Sequence, residues 1–178
     1  MVDPTEQYLE NAARFSTVVR ATEDWDAQSP CDDWKAREVV DHVVDTQRDF
    51  LATREADLGE RPEGSPVEVW QRHLEGVQRL LEDRSLVTSR YDGYFGPTTV
   101  EETLATFYGF DLMVHRWDLG QSNGREITFE DAEMDALERD IGRFGPSLYS
   151  EGICKPPIEV PEGSSRQTRI LGRLGRAT

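Results

Sequence analysis

The sequence predicts an all-α fold. Two observations carry that reading: apolar residues recur at helical spacing in five separate segments, and those segments open on recognisable N-terminal caps. A third is the scarcity of β-branched and aromatic runs outside one short stretch around Asp92-Gly93.

The elements follow in order. Asp3-Pro4-Thr5-Glu6 supplies an N-cap, a proline at the first helical position and a glutamate at N3. Tyr8, Leu9, Ala12, Phe15 and Val19 then mark a first helix to about Ala21. Asp32 or Asp33 caps a second, which carries Val39, Val40, Val43, Val44, Gln47, Phe50 and Leu51. Ser65-Pro66-Val67-Glu68 repeats the capping pattern before Trp70, Leu74, Val77 and Leu81. Thr98 with Glu101 opens a fourth helix ending at Gly120, and Thr128 with Asp131 opens a fifth. Residues 86–97 are expected to form a small hairpin. The Trp25 to Trp34 loop, with Ser29-Pro30-Cys31, is expected to pack onto the helices through its two indoles. Beyond Gly145 the chain reads as irregular until a short basic helix near Arg166 to Leu174. The predicted architecture is a four-helix bundle with extra C-terminal helices, in a single domain spanning 1–178.

Composition narrows the partners. A formal net charge of −15 over 178 residues disfavours nucleic acid and anionic membrane surfaces, both of which need a basic face. No run approaches the length of an apolar membrane span, and the N-terminus lacks a signal-peptide pattern, so a cytoplasmic protein is expected. Cys31 and Cys154 are too few for a disulfide framework, and neither lies in a CxxC pair. There is no GxSxG, P-loop, GxGxxG or HExxH motif.

One constellation carries chemistry. Asp111 and His115 stand four residues apart in the run Gly109 to Gly120, so they share a helix face, about 40° apart. Leu104, Tyr108, Leu112 and Leu119 fall on the same side of an ideal wheel, which points the carboxylate and the imidazole into an apolar stripe. Burying both without a partner is expensive, and a metal ion satisfies them. His42, at the edge of the second helix's apolar stripe, is the best further ligand. It reads equally as a core-edge histidine bonded to a neighbour. His73 is read as a partly exposed edge residue. Asp118 either supports a ligating histidine or caps the helix end. Trp117 is read as core.

Ser29-Pro30-Cys31-x-x-Trp34, then Val39-Val40-Asp41-His42, then Asp111-x-x-x-His115-Arg116-Trp117-Asp118-Leu119 together resemble the mycothiol-dependent maleylpyruvate isomerase N-terminal domain, a member of the DinB-like superfamily. The run Ile158 to Pro161 with Leu171 to Arg176 further resembles a short actinobacterial-type subfamily. The resemblance implies a DinB-like four-helix bundle holding a divalent metal, typically zinc, through His42, Asp111 and His115. Asp111 stands where the isomerase has glutamate. The isomerase also carries a further C-terminal domain that helps build its substrate site, and this chain is too short for a comparable one, so maleylpyruvate isomerisation itself is not expected.

The implied function is that of a metal-binding transferase or isomerase that uses a small-molecule thiol, mycothiol or its like, on a small electrophile. A non-catalytic metal- or small-molecule-binding protein and a metal-dependent hydrolase are the alternatives. Assembly as a homodimer stays open.

Overall fold

A computed structural model of the chain describes residues 3–31, 33–150 and 153–178. The fold is all-α with one small hairpin, as the sequence predicts. The chain divides into two compact units, 1–126 and 127–178.

The first unit is built on four long helical stretches. Helix α1 (Pro4–Ala21) starts where Asp3 accepts from the backbone of Thr5 and Glu6. Helix α2 (Ala36–Ala52) begins later than Asp33 predicts, while Asp32 lies outside the described residues. The reason is a local closure: the Glu38 carboxylate accepts from the Lys35 backbone at 2.7 Å, so the acid at N3 caps the end. Helix α3 (Pro66–Leu81) opens on Ser65 and Glu68 as predicted. A single turn, α4 (Arg84–Val87), leads into strands β1 (Arg90–Gly93) and β2 (Gly96–Thr99). They pair antiparallel, Arg90 opposite Thr99 and Gly93 opposite Gly96. The hairpin turns at Tyr94-Phe95.

The fourth stretch differs from its expectation. Helix α5 (Val100–Thr103) is capped by Thr99 and Glu102, one residue after the predicted pair. It runs into a π turn, Leu104–Tyr108, where the Gly109 amide bonds back to Leu104. Helix α6 (Gly109–Ser122) then continues. Leu104 and Tyr108 are buried with Leu112 and Leu119, yet they reach the core through the π turn and not along an unbroken wheel.

Helix α1 packs against α3 and α6, and α2 also packs against α3 and α6, which closes the four into a ring. Phe15 fills its interior with no exposure, meeting Trp70 edge-to-face at 4.9 Å. Truncating such a buried aromatic costs about 3–5 kcal/mol.

In the second unit, helix α7 (Asp131–Phe144) starts at Glu130, whose amide donates to Glu133, and not at Thr128. A 3-10 turn (Gly145–Tyr149) follows, and helix α8 (Arg166–Arg173) packs against α7. Leu137, Ile170, Leu171 and Leu174 are fully or nearly fully buried.

Candidate functional site

Helices α2 and α6 lie side by side. The i, i+4 spacing within α6 stacks Asp111 and His115 on one face, and α2 presents His42 from across the interface. His115 Nε2 lies 3.2 Å from Asp111 Oδ1, and His42 Nε2 lies 3.7 Å from the same oxygen. One donor atom from each residue falls within 4.8 Å of the others, a grouping suited to a metal ion. The second oxygen of Asp111 is buried and has no hydrogen-bond partner.

Other side chains fix this arrangement. His115 Nδ1 is 3.0 Å from Asp118 Oδ2, and Asp118 is fully buried. The Cys31 thiol donates to that same oxygen at 3.4 Å. Cys31, His115 and Asp118 thus form a second cluster of potential donors, joined to the first through His115. Trp34 stacks on His42 with ring centroids 4.4 Å apart, and the two imidazoles meet at 4.9 Å and 70°. The loop that carries Cys31 and Trp34 is held by its own backbone: Ser29 N–H donates to Trp34 O, and Trp34 N–H to Cys31 O.

Electrostatics bind the cluster together. Burial alone would raise the Asp111 carboxyl, but the charge of His115 and the hydrogen bonds from His115 and His42 hold it well below the usual carboxylate range. Burial alone would lower His115. The Asp111 charge, with hydrogen bonds involving Asp111, Asp118 and Cys31, instead raises it well above the ordinary imidazole value. Without a cation, the two flanking carboxylates favour the protonated form of His115.

The structure brings His42, Asp111 and His115 to one place. It sets Asp118 against His115 Nδ1. It buries Trp117, as expected for core. His73 departs from expectation, being fully buried rather than at an edge. Its Nε2 pairs with Gln47 at 3.0 Å, and Gln47 also accepts from Tyr8 at 2.7 Å, so a polar partner inside the core makes the burial tolerable. Trp34 on the His42 face and Cys31 beside Asp118 were not assigned from the sequence; the signal for both was the Ser29-Pro30-Cys31-x-x-Trp34 motif itself.

Residues 7–120 match the sequence model of the mycothiol maleylpyruvate isomerase N-terminal domain. The chain belongs to this family. The matched region takes in every side chain of both donor clusters and well over half of the protein. A search of curated proteins and of solved structures finds no match. Membership supports a mycothiol-related protein with a metal-suited site, and no helix among the described residues is long and apolar enough to cross a membrane.

Proposed function

We propose that this family member binds one zinc-like divalent ion through His42, Asp111 and His115, and uses it to bind a low-molecular-weight thiol of the mycothiol type for transfer to a small electrophile. The observation that carries the reading is the buried, unpartnered Oδ2 of Asp111 beside two imidazole nitrogens. A buried carboxylate oxygen with no donor is costly, and a cation relieves that cost. Two histidines and one carboxylate are also a donor set that leaves coordination positions for a ligand from solution.

Such an ion, when bound, lowers the pKa of a thiol so that the nucleophilic thiolate prevails near neutral pH. The protein's own residues supply the rest. Asp118 accepts the Nδ1 proton of His115, which commits Nε2 to the cation and fixes the ring plane. Trp34 covers one face of His42 and limits water there. Asp111 contributes a single negative charge, which leaves the ion a net positive charge to hold a thiolate.

The test uses protein prepared without a histidine tag. Elemental analysis should find stoichiometric metal, and the loaded protein should accelerate consumption of mycothiol by 1-chloro-2,4-dinitrobenzene. Metal without thiol consumption would move the assignment to a binding protein or a hydrolase. No metal at all, with stability indifferent to chelator, would sink the reading.

A further inference from the structure

A strip of α2 leads away from the site. His42, Thr46 and Phe50 follow one another at four-residue steps and are each half-buried, whereas Val39, Val43, Gln47 and Leu51 beside them are fully buried. Against this strip the π turn sets Tyr108, whose hydroxyl donates to Thr46 O at 3.1 Å and whose ring lies 5.2 Å from Phe50. Phe50 in turn lies 6.3 Å from Tyr91 of β1. At the far end the Arg54 guanidinium sits 3.9 Å above the Tyr91 ring.

Arg54 is a cation without an acid. Among the described residues no carboxylate reaches it within ion-pair distance, and its Nε is buried with no hydrogen-bond partner. Arg61, Arg84, Arg139 and Arg166, by contrast, each hold at least one carboxylate. Several other arginines among the described residues also lack an ion pair, Arg20, Arg79 and Arg90 among them, but Arg54 in addition buries its Nε without an acceptor. Stacking on Tyr91 fixes the plane of the guanidinium but leaves its N–H donors needing acceptors. The backbone holds Arg54 in place as well: Glu55 adopts φ 59°, and Ala56 N–H bonds back to Leu51 O at 3.0 Å.

We propose that Arg54 anchors a carboxylate, or an oxyanion of similar shape, at one end of an elongated small molecule whose other end lies at the His42–Asp111–His115 site. The second half of this statement rests on the metal-and-thiol reading; the anion anchor rests on Arg54 and its surroundings alone. The helix rise puts Phe50 about 12 Å beyond His42, and the Arg54 guanidinium lies 6.0 Å from the Phe50 ring, which sets the span. Phe50, Tyr91 and Tyr108 favour an apolar or aromatic middle section. A guanidinium pairs with a carboxylate through two parallel N–H bonds, which an ammonium does not reproduce. An acidic protein repels anions at long range, so an anionic ligand needs a local cation of this kind.

Two titrations test this. In the first, metal-free protein is titrated by NMR with 4-phenylbutyrate and with its neutral counterpart 4-phenylbutanol. The acid should bind about tenfold tighter and shift the amides of residues 50–56 and 90–93. That preference should vanish in Arg54→Met and shrink in Arg54→Lys, which keeps the charge and serves if the methionine variant does not fold. Equal binding of acid and alcohol, or a preference that survives both substitutions unchanged, overturns the anchor. In the second, cobalt(II)-loaded protein takes ω-mercaptoalkanoates and the matching mercaptoalkanols in a chain-length series, read by the cobalt absorption spectrum. The preference for carboxylate should emerge only at chain lengths that span the strip. A preference independent of length overturns the link between the two ends. Absence of a thiolate signal, with the first titration intact, refutes the metal-and-thiol reading and leaves the anchor standing.

Discussion

Asp118 Oδ2 stands 3.0 Å from His115 Nδ1 and also accepts from the Cys31 thiol, so one buried oxygen determines which nitrogen of His115 faces Asp111. Asp118→Asn keeps the shape but loses the charge that favours the Nδ1–H tautomer. Metal affinity should fall by about 10- to 100-fold, measured by competition with a chromophoric chelator. An unchanged affinity would mean that Asp118 serves only the packing of α6.

Asp111 is the place to test the ligand set itself. His42→Ala and His115→Ala should each lose most of the bound metal, since two protein ligands seldom compete for zinc. Asp111→Glu should keep or tighten binding, while Asp111→Asn should weaken it by removing the charge. If asparagine binds metal as well as aspartate does, Asp111 is not a ligand.

Proton and metal compete for His115 Nε2. Because the Asp111 and Asp118 carboxylates raise metal-free His115 above the ordinary imidazole value, a bound cation has to displace the proton they favour. Apparent affinity should therefore rise with pH through and above neutrality. Calorimetry in buffers of differing ionisation heat should show release of a proton at pH 7. Metal uptake with no proton released would contradict the arrangement around His115.

His73 makes a separate prediction about acid. Burial, aided by the Arg48 charge, pushes His73 down to about 3. Below the unfolded value of about 6.5 the unfolded chain takes up a proton that the folded chain refuses, so stability is lost as pH falls from there towards 3. At pH 5 the loss is about 2 kcal/mol. Urea unfolding at pH 7.5 and 5.0 should show that loss in the wild type, and His73→Leu should lack it whatever its stability at pH 7.5. Equal pH dependence in the two proteins would place the acid sensitivity elsewhere.

The sequence made the helices legible where caps and period agreed, as at Asp3-Pro4 and Ser65-Pro66. It misplaced the start of α2 because the acid that closes that end is Glu38 at N3, not the aspartates that precede it. At the site, Asp111 and His115 were visible because both lie inside one regular helix, where spacing alone fixes the shared face. His42 sits on another helix, and no pattern within α2 distinguishes a ligand from a core-edge histidine. His73 was misjudged because its partner, Gln47, lies 26 residues away and pairs only through the tertiary fold. Arg54 carried no local signal, since its buried, unpartnered Nε and the Tyr91 ring beneath its guanidinium arise only in the tertiary fold.

The π turn at Leu104–Tyr108 adds one residue's worth of chain between α5 and the donors of α6. A straight helix through the same stretch would be one residue shorter, and everything after it would be rotated by about 100°. Asp111 and His115 would still be four residues apart, but they would no longer point at His42. The cluster is thus encoded by a length as well as by identities. A lineage that lost any single residue between 104 and 108 would retain each of the three donors in its sequence and forfeit their convergence, so descent of the site cannot be read from the donors alone.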